Sequence, residues 1–204
     1  NAAQWLDSPL RRRRDVILLD QRGTGLSEPL LNCPELDELA LDLLEQALTP
    51  EQEAEQRLAS ARTCRDRLRM NGVNLAAYTS QTNAADIADL RKTLGYAEWN
   101  LYGISYGSRL ALTVLRDYPA GVRSAILDAA YPPAASGLLE LVPNALRAFE
   151  AFFEGCASDA ACSTAYPDLR ATYYDLVAGL NQAPQVVPVR HPRTGRTINF
   201  LLTG

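Results

Sequence analysis

Asp15-Val16-Ile17-Leu18-Leu19-Asp20 sets four apolar residues between two acids, the pattern expected of a short strand buried on both faces. Gln21-Arg22-Gly23-Thr24-Gly25 follows as a turn, with two glycines free to take positive φ. From Pro34 to Leu48, Leu36, Leu39, Leu43 and Leu44 recur at helical spacing. Thr49-Pro50-Glu51-Gln52 then reads as a second helix start: Thr at the N-cap, Pro at the first helical position, and Gln placed to complete a capping box. The two helices fold back on each other as a hairpin over residues 34–70, and Asn71-Gly72 ends it with a C-cap signal.

Beyond Tyr78 the pattern changes register. Thr82 or Asn83 can cap a helix with Ile87, Leu90 and Leu94 on one face, closed by Gly95. Trp99-Asn100-Leu101-Tyr102 reads as a strand, Tyr106 to Tyr118 as a helix stopped by Pro119, and Ser124 to Asp128 as a further buried strand. Strands alternating with helices predict an α/β fold with a parallel, doubly covered sheet. After Tyr131-Pro132-Pro133, Leu138 to Phe153 and Leu169 to Leu180 are amphipathic helices with no strand between them. Gln185 to Arg190 and Thr197 to Leu202 look like two arms of a hairpin around Pro192-Arg193-Thr194-Gly195. The expected organisation is a partial α/β core over residues 1–133 and the start of a mainly helical cap over 134–204.

Composition narrows the class. The chain has 204 residues, 47% hydrophobic and 22% charged, as in ordinary soluble globular proteins. A net charge of −4 gives no reason to expect nucleic acid or an anionic membrane as partner. Arg11 to Arg14, the only basic run, reads as a solvated edge. No apolar stretch approaches the ~20 residues of a membrane span. Asn1-Ala2-Ala3-Gln4-Trp5 lacks an initiator Met, so a trimmed start is expected. Four cysteines allow three disulfide connectivities. In the helical hairpin, Cys33 and Cys64 return to about the same height on either side of Thr49, which favours a Cys33–Cys64 bridge. Cys156 and Cys162 are close enough to close a small loop. The alternative is four free thiols in a reducing compartment; disulfides imply an exported protein, periplasmic or secreted. No metal or cofactor is expected.

Candidate chemistry centres on Gly103-Ile104-Ser105-Tyr106-Gly107. This G-x-S-x-G pattern is weak alone and gains weight from the strand before it and the helix after it. A nucleophile on so tight a turn takes strained backbone angles, and the glycines leave room for the close approach of its neighbours. Ser105 is the candidate nucleophile, and the backbone N–H of Tyr106 a candidate oxyanion donor. The plainer reading is a Gly-rich connection with an incidental serine.

Asp20-Gln21-Arg22-Gly23-Thr24-Gly25-Leu26-Ser27 resembles the D-Q-R-G-x-G-x-S signature of the proline iminopeptidase-like α/β-hydrolases. Tyr78-Thr79-Ser80-Gln81-Thr82-Asn83-Ala84-Ala85-Asp86 and Leu127-Asp128-Ala129-Ala130-Tyr131-Pro132-Pro133 resemble the exported tripeptidyl-aminopeptidase branch, as does the pairing of Cys33 with Cys64 and Cys156 with Cys162. The resemblance covers essentially the whole chain. It implies a serine exopeptidase that removes residues or short peptides from a free N-terminus beneath a helical cap.

A serine nucleophile needs a base, and the base an orienting carboxylate, in the chain order Ser, acid, His. His191 is the only histidine, but it sits in a turn of the presumed cap and reads as a turn residue. Asp159 and Asp168 lie within the cap, Asp128 reads as a structural acid, and none is nominated. The family's Gly-rich oxyanion loop has no match before Trp5. The expectation is therefore a piece of a longer hydrolase lacking acid and base, with an open sheet edge that pairs with missing core segments or with itself. An esterase using the same elbow and a non-catalytic hydrolase-like module are the competing readings.

Overall fold

A computed structural model describes Trp5 and residues 7–204; residues 1–4, where the trimmed start was read, lie outside the described residues. Contacts divide the chain into two units, Asn1–Cys33 with Asp66–Ala130, and Pro34–Arg65 with Tyr131–Gly204. Residues 34–65 thus group with the later helices, a discontinuous arrangement that a linear division at residue 133 does not describe.

The helices are α1 (Pro34–Leu43), α2 (Pro50–Met70), α3 (Ser80–Thr93), α4 (Tyr106–Asp117), α5 (Gly137–Ser158), α6 (Ala160–Ala165) and α7 (Leu169–Gln182). The strands are β1 (Trp99–Ile104), β2 (Val122–Asp128), β3 (Gln185–Arg190) and β4 (Thr197–Leu202).

In the first unit β1 and β2 pair in parallel, with Leu101 opposite Ala125 and Gly103 opposite Leu127. Leu101, Gly103, Ala125 and Leu127 turn toward α3 and α4, where Ala84, Leu110 and Val114 form a buried cluster flanked by Ile87, Leu101 and Val122. The pleat sends Tyr102, Ile104 and Ile126 to the other face. There all three are exposed, Ile126 at 57%, so among the described residues the sheet is covered on one face, not on both as expected, and β2 is not a buried strand. The apolar run 15–20 also departs from expectation. It forms no ladder among the described residues, and Ile17, Leu18 and Leu19 are exposed. A buried parallel strand requires hydrogen-bonded neighbours, and among the described residues β1 and β2 pair only with each other. At the start of the run the Tyr96 hydroxyl donates to Asp15 Oδ2 at 2.6 Å.

Helix α3 starts earlier than predicted. Thr79, not Thr82 or Asn83, is its N-cap, and Thr82 closes the capping box from the third helical position. Gly95 ends the helix with φ 77°, as its position implied.

In the second unit the Thr49–Gln52 capping box forms as read: Thr49 N–H donates to Gln52 Oε1 at 2.9 Å and Gln52 N–H to Thr49 Oγ1 at 3.3 Å. Strands β3 and β4 pair antiparallel from Gln185–Leu202 to Arg190–Thr197. The β4 backbone reaches the end of α1, with Leu201 N–H donating to Leu44 O at 2.7 Å and Asn199 N–H to Glu45 Oε1 at 2.7 Å. Helices α5 and α7 share an aromatic cluster built on buried Phe153, whose ring lies 5.7 Å from Tyr173 and 4.7 Å beneath the Arg170 guanidinium. Cys156 and Cys162 form a disulfide, and among the described residues no cysteine is free. Among the described residues no helix is long and apolar enough to cross a membrane.

Candidate active site

Ser105 sits between β1 and α4 with φ 54° and ψ −118°. A non-glycine residue at positive φ costs of order 1–3 kcal/mol and persists only where its surroundings fix it. Both backbone polar groups of Ser105 are fixed. Its N–H donates to Asp128 O, at the end of β2, at 2.9 Å. Its carbonyl accepts from the Ser108 N–H at 2.9 Å and from the Ser108 hydroxyl at 2.6 Å. The Ser105 side chain is exposed and makes no capping hydrogen bond, so its oxygen is not spent on the helix.

The two flanking glycines are not equivalent. A Cβ on Gly103 would overlap the Gly107 carbonyl and approach Ser108 N to 2.8 Å. A Cβ on Gly107 would meet nothing within 4 Å. Only the first is required by the close approach that makes the turn.

Tyr106 opens α4, where the first backbone N–H groups have no partner within the helix. Its side-chain hydroxyl lies 2.8 Å from Ser80 Oγ. On β1, the Tyr102 hydroxyl donates to Asp128 Oδ2 at 2.8 Å. That hydrogen bond to the carboxylate raises the Tyr102 pKa, with desolvation and the carboxylate charge adding to it.

The turn at residues 20–27 is built tightly. Gly23 and Gly25 take φ 81° and 57°, and a side chain on Gly25 would collide with the Asp20 carboxylate. Asp20 Oδ2 accepts from Leu26 N–H at 2.9 Å, and Ser27 Oγ donates to Asp20 O at 2.7 Å. Arg22 reaches out of the turn to α3 and the segment before it, donating to both oxygens of Asp86 and to Ala77 O at 2.9 Å.

A family model described as the alpha/beta hydrolase fold matches residues 2–180. The chain belongs to the alpha/beta hydrolase fold family. It is 28% identical over 188 residues to a serine protease, Hip1, of Mycobacterium tuberculosis and of Mycobacterium bovis, covering 85% of this chain and 35% of those proteins. It is 26% identical over 125 residues to a putative hydrolase, YuaR, of Escherichia coli, covering 61% of this chain and 23% of that protein. The chain thus spans about a third of the length of the serine protease relatives it matches.

Elsewhere in this alpha/beta hydrolase chain, Asp159, Asp168 and His191 have local structural tasks. Asp159 accepts from Cys162 N–H at 2.7 Å and caps α6; Asp168 accepts from Ala171 N–H at 3.0 Å and caps α7. His191 lies in the β3–β4 turn, where its Nδ1 accepts from the backbone N–H groups of Arg193 at 3.3 Å and Thr194 at 3.1 Å. Sequence reasoning missed Ser108 and the Asp86 partner of Arg22. Asp86 closes the Tyr78–Asp86 motif, which was a usable signal; Ser108 falls one residue beyond G-x-S-x-G and carried none.

Proposed function

We propose that Ser105 is the nucleophile of a serine peptidase, most specifically an aminopeptidase that releases residues or short peptides from free N-termini. The observation that supports this best is the exposed Ser105 on a strained strand-to-helix turn whose backbone is held on both sides. The family and the serine protease relatives agree with the hydrolytic part of this reading. The resemblance of the 20–27 and 78–86 motifs favours the aminopeptidase part. In the reaction, Ser105 Oγ adds to the scissile carbonyl as its proton passes to a histidine base. The oxyanion accepts from the Tyr106 N–H. The bond to the leaving amine breaks as the base returns the proton, and water then releases the acyl group.

The base and its carboxylate are proposed to come from outside these 204 residues. His191 Nδ1 is engaged in its own turn, and the serine protease relatives are about three times as long as the matched region. On this reading the exposed edge of the β1–β2 sheet pairs with further strands of the same core, and self-association is the alternative use of it. The disulfides favour export, to the periplasm or beyond the cell.

Labelling with a fluorophosphonate probe tests the nucleophile. Modification of Ser105 in the full-length protein, with less or none in the 204-residue chain alone, is expected. No labelling of Ser105 in the full-length protein would sink the reading. Faster turnover of a free-amine peptide anilide than of an N-acylated one, or of an acyl ester, separates an aminopeptidase from an esterase.

A further inference from the structure

We propose that Ser108 is a positioning residue for the reaction: by clamping the Ser105 carbonyl it aims the Tyr106 N–H at the oxyanion. The inference rests on the reading of Ser105 as nucleophile and adds a residue that no motif contains. The argument starts from the peptide bond. The carbonyl of Ser105 and the N–H of Tyr106 belong to one planar, trans unit, so they point in opposite directions along it. Whatever holds the carbonyl sets the direction of the N–H.

Ser108 holds that carbonyl twice, through its N–H at 2.9 Å and its hydroxyl at 2.6 Å. The residue is completely buried, at 0% exposure, so no solvent competes for the hydroxyl. The same oxygen lies 3.5 Å from Ala129 O, and Ala129, at φ 51°, is the other non-glycine residue with positive φ among the described residues. A hydroxyl has one proton to give, and the 2.6 Å contact takes it. The clamp pulls the Ser105 carbonyl toward the interior, which turns the Tyr106 N–H away from it. A tetrahedral oxyanion gains most from a donor that needs no reorganisation at the moment of reaction.

Ordinary back-bonding of a helical serine is the competing account, and it predicts an effect on stability alone. The test uses the full-length protein with Ser108→Ala and Ser108→Cys. Turnover is expressed per Ser105 labelled at the fluorophosphonate end point, so loss of folded protein does not count. Ser108→Ala removes one buried oxygen and leaves the Ser108 N–H bond in place. It is expected to lower kcat by about tenfold or more, below the ~100-fold of deleting an oxyanion donor outright. KM should stay within about twofold, as expected for an interaction made only in the transition state. A peptide aldehyde, which forms an oxyanion on addition of Ser105, should bind more weakly in the same proportion, while a product peptide binds as before. Ser108→Cys, with its weaker donor, should fall between. Should Ser108→Ala not fold, the same comparison on Ser108→Cys decides. Unchanged kcat per labelled site overturns the proposal, as does a loss of kcat without a matching loss of aldehyde affinity. If wild-type Ser105 does not label, the nucleophile reading itself falls and takes this inference with it.

Discussion

Arg22 grips Asp86 with two parallel hydrogen bonds, Nε to Oδ2 at 2.8 Å and Nη2 to Oδ1 at 2.6 Å, across 64 residues of sequence. The pair joins the glycine turn to α3, and the bond to Asp86 raises the Arg22 pKa against the opposing effect of desolvation. Both side chains remain partly open to water. Arg22→Ala is therefore expected to cost about 1–2 kcal/mol, the lower part of the range for hydrogen bonds between charged groups. Arg22→Lys should recover less than half of it, because an ammonium cannot reproduce the planar two-pronged contact. Urea unfolding midpoints of the two variants measure this.

The asymmetry of the elbow glycines gives a paired prediction. Gly103→Ala pushes a methyl into the Gly107 backbone and should destabilise by about 3 kcal/mol or more, with loss of Ser105 labelling. Gly107→Ala meets open space and should stay within about 1 kcal/mol of wild type, since alanine is the better helix former. Thermal melts and probe labelling together report both outcomes.

Tyr102 and Asp128 predict an alkaline effect. The tyrosine's folded pKa lies above its ordinary value of 10.0 because the neutral hydroxyl donates to the carboxylate. The stabilisation is therefore fully present below the ordinary tyrosine pKa and disappears as pH rises through the elevated folded value. Tyrosine ring-carbon NMR across the alkaline range should find Tyr102 titrating late, and Asp128→Ala should bring it back toward the ordinary range.

The α5–α7 contact predicts the opposite limb. Arg170 donates to both oxygens of Glu150, with Nη1 to Oε1 at 2.6 Å, and this hydrogen bonding holds the Glu150 pKa below its ordinary 4.5. Its contribution is complete above that ordinary value and is lost as pH falls through the depressed folded one. Unfolding midpoints measured while acidifying should fall in wild type over that window. In Arg170→Ala the component due to this pair should be missing.

Much of the local structure was legible because it is local. The Thr49–Gln52 box, the strand–elbow–helix order around Ser105, and the β3–β4 hairpin each depend on residues a few positions apart, and each formed where the pattern placed it. The run 15–20 misled because a four-residue apolar stretch states a demand for burial without naming the neighbour that meets it. Thr79 was passed over as a cap because Thr82 and Asn83 offer the same chemistry; only the reciprocal bonds between Thr79 and Thr82 decide. Ser108 was invisible because a serine in the first turn of a helix is ordinary until its carbonyl partner is known. The D-Q-R-G turn was recognised, but its grip on Asp86 spans too many residues for spacing to reveal.

The bond between Asn199 and Glu45 joins positions 154 residues apart, and it has a consequence for synthesis. A chain emerging from the ribosome can complete the short β1–α4–β2 crossover, elbow included, soon after Asp128 appears. Helix α1, made long before it, must wait for β4 before its own end is covered. Contacts of such separation are slow to close. Ser105 is thus seated while the second unit is still unfinished, and the interval before β4 arrives is when residues 34–65 are most open to a chaperone or a protease.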